Sequence, residues 1–366
     1  MLYVFKGEAV EDASVPAGGV ILDAADNVYG TTAYGGTGGC ILLGITAGCG
    51  TVYELSPPIK QGDPWTETIL YSLQGGNDGY FPWGTPTFDA KGNLYGATQF
   101  GGGKGNTCNE FYGGNCGTVF ELTPPKQKGG QWTEKVLHSF AGIAQGQQKG
   151  DGANPNGGLV LDSKGVIYGT SYEGGAGGGA CGTVGCGTVF QLAPPTTKDR
   201  DWIESVIYRF NPVHSYEEWP MAGLIIDKNG HLFGTTHEDT VFRLSRSPKR
   251  RSSWSETILY SFKGKGASYA LDAPLIFDAT GSLYTTAYGG SGGSADGNVF
   301  RLRPPANGDI SWTIDVLYSF AGSPDGAWPA AGLIFDKHGN LYSTTQAGGS
   351  GQACQSGCGT VFEVSP

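Results

Sequence analysis

FDAKGNLYGAT, residues 88–98, is one of six copies of a single phrase in this chain. The others are LDAADNVYGTT (22–32), LDSKGVIYGTS (161–171), IDKNGHLFGTT (226–236), FDATGSLYTTA (277–287) and FDKHGNLYSTT (335–345). Self-similarity of this kind marks a repeat architecture rather than a set of unrelated domains. Each copy is an apolar run ending in Asp, a turn, and a second apolar run, which is the pattern of a tight β-hairpin.

Two further blocks recur around the hairpin. A Gly-rich loop leads into a third strand, as in GTVYEL (50–55), GTVFEL (117–122) and GTVFQL (187–192), and a Pro-rich connection follows. The fourth strand opens on tryptophan at Trp65, Trp132, Trp202, Trp254 and Trp312. All four strands read with period two, and no window carries a helical 3.6-residue stripe. Four antiparallel strands per repeat, arranged radially, describe the blades of a β-propeller.

The count is six blades in an all-β fold, with residues 1–366 as a single domain. The sixth repeat stops after its third strand at GTVFEVSP, while MLYVFKG (1–7) matches the end of a fourth strand such as VLYSFAG (316–322). The N-terminal strand 1–7 is therefore expected to join the blade formed by 332–366 and close the ring by hydrogen bonds, which leaves no sheet edge. A linear solenoid would show polar capping repeats, and none is visible.

These blocks, G-L-[IV]-x-D-x-x-G-N-L-Y-G-T-T, G-T-V-F-x-L and W-T-E-x-V-L-Y-S-F-x-G, run over the whole chain. Together they resemble the GloVer tandem repeat of extracellular bacterial proteins. The resemblance implies export and a β-propeller. It carries no catalytic motif, so no functional residue is transferred from it.

Composition narrows the function classes. The 64 glycines have no collagen period, and the strands between them are too apolar for a disordered chain. A net charge of −10 argues against nucleic acid as partner, despite the basic cluster Arg243, Arg246, Lys249, Arg250 and Arg251. No apolar run is long enough to span a membrane, and a monomer is expected.

Eight cysteines fall as Cys40/Cys49, Cys108/Cys116, Cys181/Cys186 and Cys354/Cys358, each pair within one loop between second and third strands. Local disulfides imply an oxidising compartment, secreted or periplasmic, and a signal peptide is expected ahead of Met1. Cysteine–histidine metal spacing is absent.

Recurrence separates scaffold from function: a site belongs where one repeat departs from the others. Asp12, Asp78, Asp151 and Asp325 recur four residues before a proline. They are either turn residues or a ring of carboxylates holding Ca2+. Repeat four lacks the long Gly-rich loop and passes from strand to strand through His237, Glu238 and Asp239. The loop before it, NPVHSYEEWPMAG, is equally irregular and brings His214, Tyr216, Glu217, Glu218 and Trp219. The carboxylates Glu217, Glu218 and Asp239, with Glu238 and His237, are the catalytic candidates. Trp219, Tyr216 and His214 are candidate ligand contacts, with Tyr172, Glu173, Trp83, Trp328, Gln99 and Gln346 on the same type of loop. Aromatic rings beside amides and carboxylates are how sugars are held. The expectation is a glycan-binding propeller, with a glycoside hydrolase or polysaccharide lyase as the alternative.

Overall fold

The computed structural model describes residues 2–6, 12–42, 45–60, 62–103, 116–127, 129–142, 150–175, 181–182, 184–197, 200–211, 219–237, 239–247, 253–262, 270–289, 296–306, 311–350 and 357–366. No α-helix occurs among them. The sheets are the blades of a six-bladed β-propeller, one per repeat, each running in sequence order with antiparallel neighbours. The chain forms two compact units, residues 1–178 with 182–209 and residues 179–181 with 210–366. Blades one to three make up the first and blades four to six the second.

Blade two shows the plan. Thr87–Phe88 pairs with Leu94–Thr98, which pairs with Thr118–Thr123, which pairs with Thr133–Ser139. The first strand is only two residues long, because Asp89 ends it at once. One Asp89 carboxylate oxygen accepts the backbone N–H groups of Lys91 and Asn93, and the other accepts the Asn93 amide and the Tyr95 hydroxyl. An Asx turn of this kind is what the recurring D-x-x-G-N-x-Y encodes. Gly92 turns the corner at φ +84°, and blade one puts Asp26 at φ +60° in the same place.

The second and third strands are buried on both faces, more than a half-polar alternation predicts. In blade two Leu94, Phe120 and Leu122 pack with Tyr29, Val52 and Leu70 of blade one. Their neighbours Tyr95, Ala97 and Val119 pack with Leu159, Ile167 and Phe190 of blade three. Successive side chains of a strand point to opposite faces, so successive residues serve different blades. The same division recurs in the second unit, where Phe233 and Val241 of blade four meet Leu275, Leu283 and Phe300 of blade five. Three of the strand tryptophans pack at the margins of these clusters: Trp132 on the first, Trp202 on the second and Trp312 on the third.

Between second and third strands, threonine hydroxyls meet in the dry interior. Thr98 and Thr118 lie 2.8 Å apart, as do Thr32 and Thr51. The third and fourth strands slip register after the same valine in all five complete blades, at Val52, Val119, Val189, Val241 and Val299. This is a repeated β-bulge, which bends and twists the outer strand.

The ends of the chain meet the first and last blades in their own way. The sixth sheet has three strands among the described residues, Ile334–Phe335, Leu341–Thr344 and Val361–Val364. Residues 2–6, expected as its fourth, carry no strand assignment. Tyr3 and Phe5 pack beside Tyr53, Trp65 and Ile69 of blade one, as Phe140 at the end of the blade-two fourth strand packs on Phe190 of blade three, and the Tyr3 hydroxyl donates to Glu67 at 2.9 Å. Blade one also gains an extra strand, Ala13–Pro16, on its second strand.

Candidate functional site

In five of the blades the entering loop ends in a residue before proline with left-handed backbone: Val15, Phe81, Asn154, Trp219 and Trp328, at φ between 54° and 62°. Residues before proline avoid helical conformations, and a non-Gly residue held there stores strain of about 1–3 kcal/mol. Two hydrogen bonds hold it. The N–H donates to a carbonyl of the preceding blade, Phe81 to Cys49, Asn154 to Cys116 and Trp328 to Asp296. The carbonyl accepts an N–H from the loop after its own second strand, from Gln99, Tyr172, His237 and Gln346 respectively for Phe81, Asn154, Trp219 and Trp328.

That arrangement sorts the sequence candidates into pairs in blades two, three, four and six. His237 stands with Trp219, Gln346 with Trp328, and Tyr172 with Asn154. Gln99 stands with Phe81, while Trp83, two residues further on, is exposed. Phe81 and Asn154 were not among the sequence candidates. The signal that finds them is position: each directly precedes the loop proline.

In the second unit the His237 imidazole Nδ1 meets Asp272 of blade five at 2.7 Å. Both are partly exposed, and the half-buried Trp219 adjoins them through the His237 N–H to Trp219 carbonyl bond of 3.0 Å. A histidine oriented by a carboxylate is suited to moving protons or to gripping a hydroxyl. Asp272 carries no mark in the sequence, because repeat five has no proline where the others do. Trp328 stacks on Tyr288 with ring centroids 5.8 Å apart.

Asp239 is buried and has φ +70°. It stands where other blades have the glycine of G-T-V, and its carbonyl accepts the Phe262 N–H as that of Gly117 accepts Phe140. Its backbone is therefore part of the scaffold. His214, Tyr216, Glu217, Glu218 and Glu238 lie outside the described residues, as do Lys249, Arg250 and Arg251. Arg246 lies 4.6 Å over the Trp254 ring.

The four recurrent aspartates are strand-end clamps. Asp78 accepts the Gln74 N–H at 2.6 Å and the Tyr71 hydroxyl at 3.2 Å. Asp12 does the same for Lys6 and Tyr3, Asp151 for Ala141 and His138, and Asp325 for Ala321 and Tyr318. Among the described residues no group of three or more His, Cys, Asp or Glu side chains is placed to share a metal ion. Each of the four carboxylates is thus engaged by two donors at the end of a strand.

Beside the clamps lie carboxyls that the sequence reading passed over. Burial pushes Glu67, Glu134 and Glu204 up to about 7, with the neighbouring Asp12, Asp78 and Asp151 adding to the rise. Their signal was a glutamate recurring two residues after the strand tryptophan.

Cys40 and Cys49 form a disulfide, and Cys116, Cys181, Cys186 and Cys358 are disulfide-bonded. No described cysteine is free, while Cys108 and Cys354 lie outside the described residues. No helix is long and apolar enough to cross a membrane.

Among solved structures, an ulvan lyase bound to GlcA(1-4)Rha3S is similar at 12% identity, over 92% of this chain and 82% of that one, with a TM-score of 0.50. A protein of unknown function from Dyadobacter fermentans is similar at 12% identity over 96% and 93%, also at 0.50. Both likenesses speak to the fold alone. A gluconolactonase from Xanthomonas campestris is more distant, at a TM-score of 0.47, with 12% identity over 97% and 87%. No curated protein matches the chain. The Gloeobacter/Verrucomicrobia repeat matches residues 39–248, more than half of the molecule, and the chain belongs to that family.

Proposed function

We propose that this protein is an exported, monomeric propeller that binds a glycan at the entry of blade four. The carrying observation is the His237–Asp272 pair, an oriented hydrogen-bonding couple at 2.7 Å, with the half-buried Trp219 one backbone hydrogen bond away from His237. Sugars present apolar ring faces and hydroxyls, and such a couple meets both. The ulvan lyase that shares the fold is bound to GlcA(1-4)Rha3S. Disulfides persist in oxidising compartments, which supports export.

A hydrolase or lyase is the second reading, favoured by the same couple, since a carboxylate-oriented imidazole is a ready base. A panel of polysaccharides assayed for retention and for product release separates the two. Binding without new reducing ends or unsaturated uronates supports the first reading. Trp219→Ala is expected to weaken retention by about 1–3 kcal/mol, roughly fivefold to 150-fold. His237→Ala is expected to lower affinity by a similar factor in a binder, and to lower rate by about 100-fold or more in an enzyme. Unchanged retention and turnover in both variants removes the site from consideration.

A further inference from the structure

The third strand of each blade carries a polar residue two places after its recurring valine, and the partner of that residue changes from blade to blade. In blade two Glu121 accepts the Tyr95 hydroxyl at 3.1 Å, and in blade one Glu54 accepts the Ser56 hydroxyl at 2.7 Å. Blade five has a cation there, Arg301, and a carboxylate answers it. Asp315, directly across on the fourth strand, accepts Arg301 Nε and a terminal nitrogen at 3.0 Å each, and Arg303 at 2.8 Å.

Blade four has the cation without the answer. Arg243 holds the place of Arg301, but Thr257 stands across from it instead of Asp315, and Phe233 instead of Tyr284. Ser245 keeps the hydroxyl of Ser56 but has lost the glutamate that Ser56 serves. Arg243 forms no ion pair or side-chain hydrogen bond among the described residues. Its Nε and the Ser245 Oγ are both buried without a partner. Asp227, the hairpin carboxylate of the same blade, is engaged by the His231 ring at 2.9 Å and by the N–H groups of Asn229 and His231. Donors left without an acceptor cost free energy. The way in is open, since Arg243 is only half-buried and Thr257 and Ser255 across the strand are exposed.

We propose that Arg243 binds the carboxylate of an acidic ligand, which lies over Thr257 in the place that Asp315 fills in blade five. The guanidinium is a planar fork that matches a carboxylate with two parallel N–H bonds, which a compact ammonium cannot do. Blade five shows that a carboxylate arriving from the fourth-strand side reaches both Nε and a terminal nitrogen of an arginine so placed. One such pair at a half-open surface supports a Kd of about 1–10 mM for a small carboxylate. The site is independent of the glycan reading at the entry of blade four.

Calorimetric titration of the whole chain at constant ionic strength, with sodium glucuronate and with sodium N-acetylglutamate, tests it. The expected result is one saturable site in that range, and the tighter of the two probes names a sugar or a peptide as the source of the carboxylate. Arg243→Gln is expected to weaken binding by about tenfold or more, and Arg243→Lys, which keeps the charge and loses the fork, by about fivefold. Thr257→Asp supplies the carboxylate from within the chain. It is expected to abolish binding while melting no lower than the parent, so a loss of fold cannot account for the result. Asp315→Thr makes blade five resemble blade four and is expected to open a second site, a gain that no unfolded variant could mimic. The proposal is overturned if neither probe saturates below about 50 mM. It is equally overturned if Thr257→Asp or Arg243→Gln binds like the parent, or if Asp315→Thr folds and takes up no more ligand.

Discussion

At the scale of single residues, the repeat is written in backbone geometry. Gly117 has φ +96°, and a Cβ there would come within 2.7 Å of Pro155 of the next blade and closer still to the Thr98 carbonyl. Its recurrence in G-T-V is thus explained twice, by conformation and by the neighbouring proline. Gly117→Ala is expected to cost about 2 kcal/mol or more, measured as a lower urea midpoint. Asp26 offers the opposite test. It holds φ +60° where the other five repeats have glycine, so Asp26→Gly is expected to stabilise by a few tenths to about 1 kcal/mol.

At the scale of elements, the buried glutamates of the fourth strands set a pH dependence. Their folded values near 7 lie above the ordinary 4.5, so the folded state holds their protons more tightly than the unfolded chain. Stability from this source is full below about 4.5 and is lost as pH rises through about 7. The urea midpoint is therefore expected to fall between pH 5 and pH 8, and Glu134→Gln is expected to flatten that slope. No change across the range would remove the carboxyls from the account. The Cys40–Cys49 bridge closes a loop with a sequence separation of 9, and replacing both cysteines is expected to cost about 2.5 kcal/mol. Elements were the most legible level of the sequence. The hairpin Asp, the turn glycines and the G-T-V blocks each encode a local conformation, and local conformation needs no knowledge of neighbours. The pairing of His237 with Asp272 needed the next blade in place, and so did the placing of Glu134 beside Asp78. Both depend on contacts that no spacing within one repeat reveals.

At the scale of the molecule, the N-terminal residues are the informative piece. Tyr3 and Lys6 hold Asp12 as Tyr71 and Gln74 hold Asp78, so residues 2–6 make the contacts of the tail of a fourth strand. Deleting residues 1–7 strips the Tyr3–Glu67 bond and the Phe5 contact from blade one and is expected to lower the melting temperature by several degrees. A truncated chain that melts with the parent would show that this segment contributes nothing to the fold. The alternation of faces in the inner strands reaches furthest. Leu94 answers to the blade before it and Tyr95 to the blade after, so neither can change size without a matching change in a different repeat. Copying one repeat over another within the gene replaces both halves of two such agreements at once. Where the copies carry the same residues, the exchange goes unnoticed by the fold. Sameness among the six phrases is therefore what lets one repeat overwrite another in the gene without losing the protein.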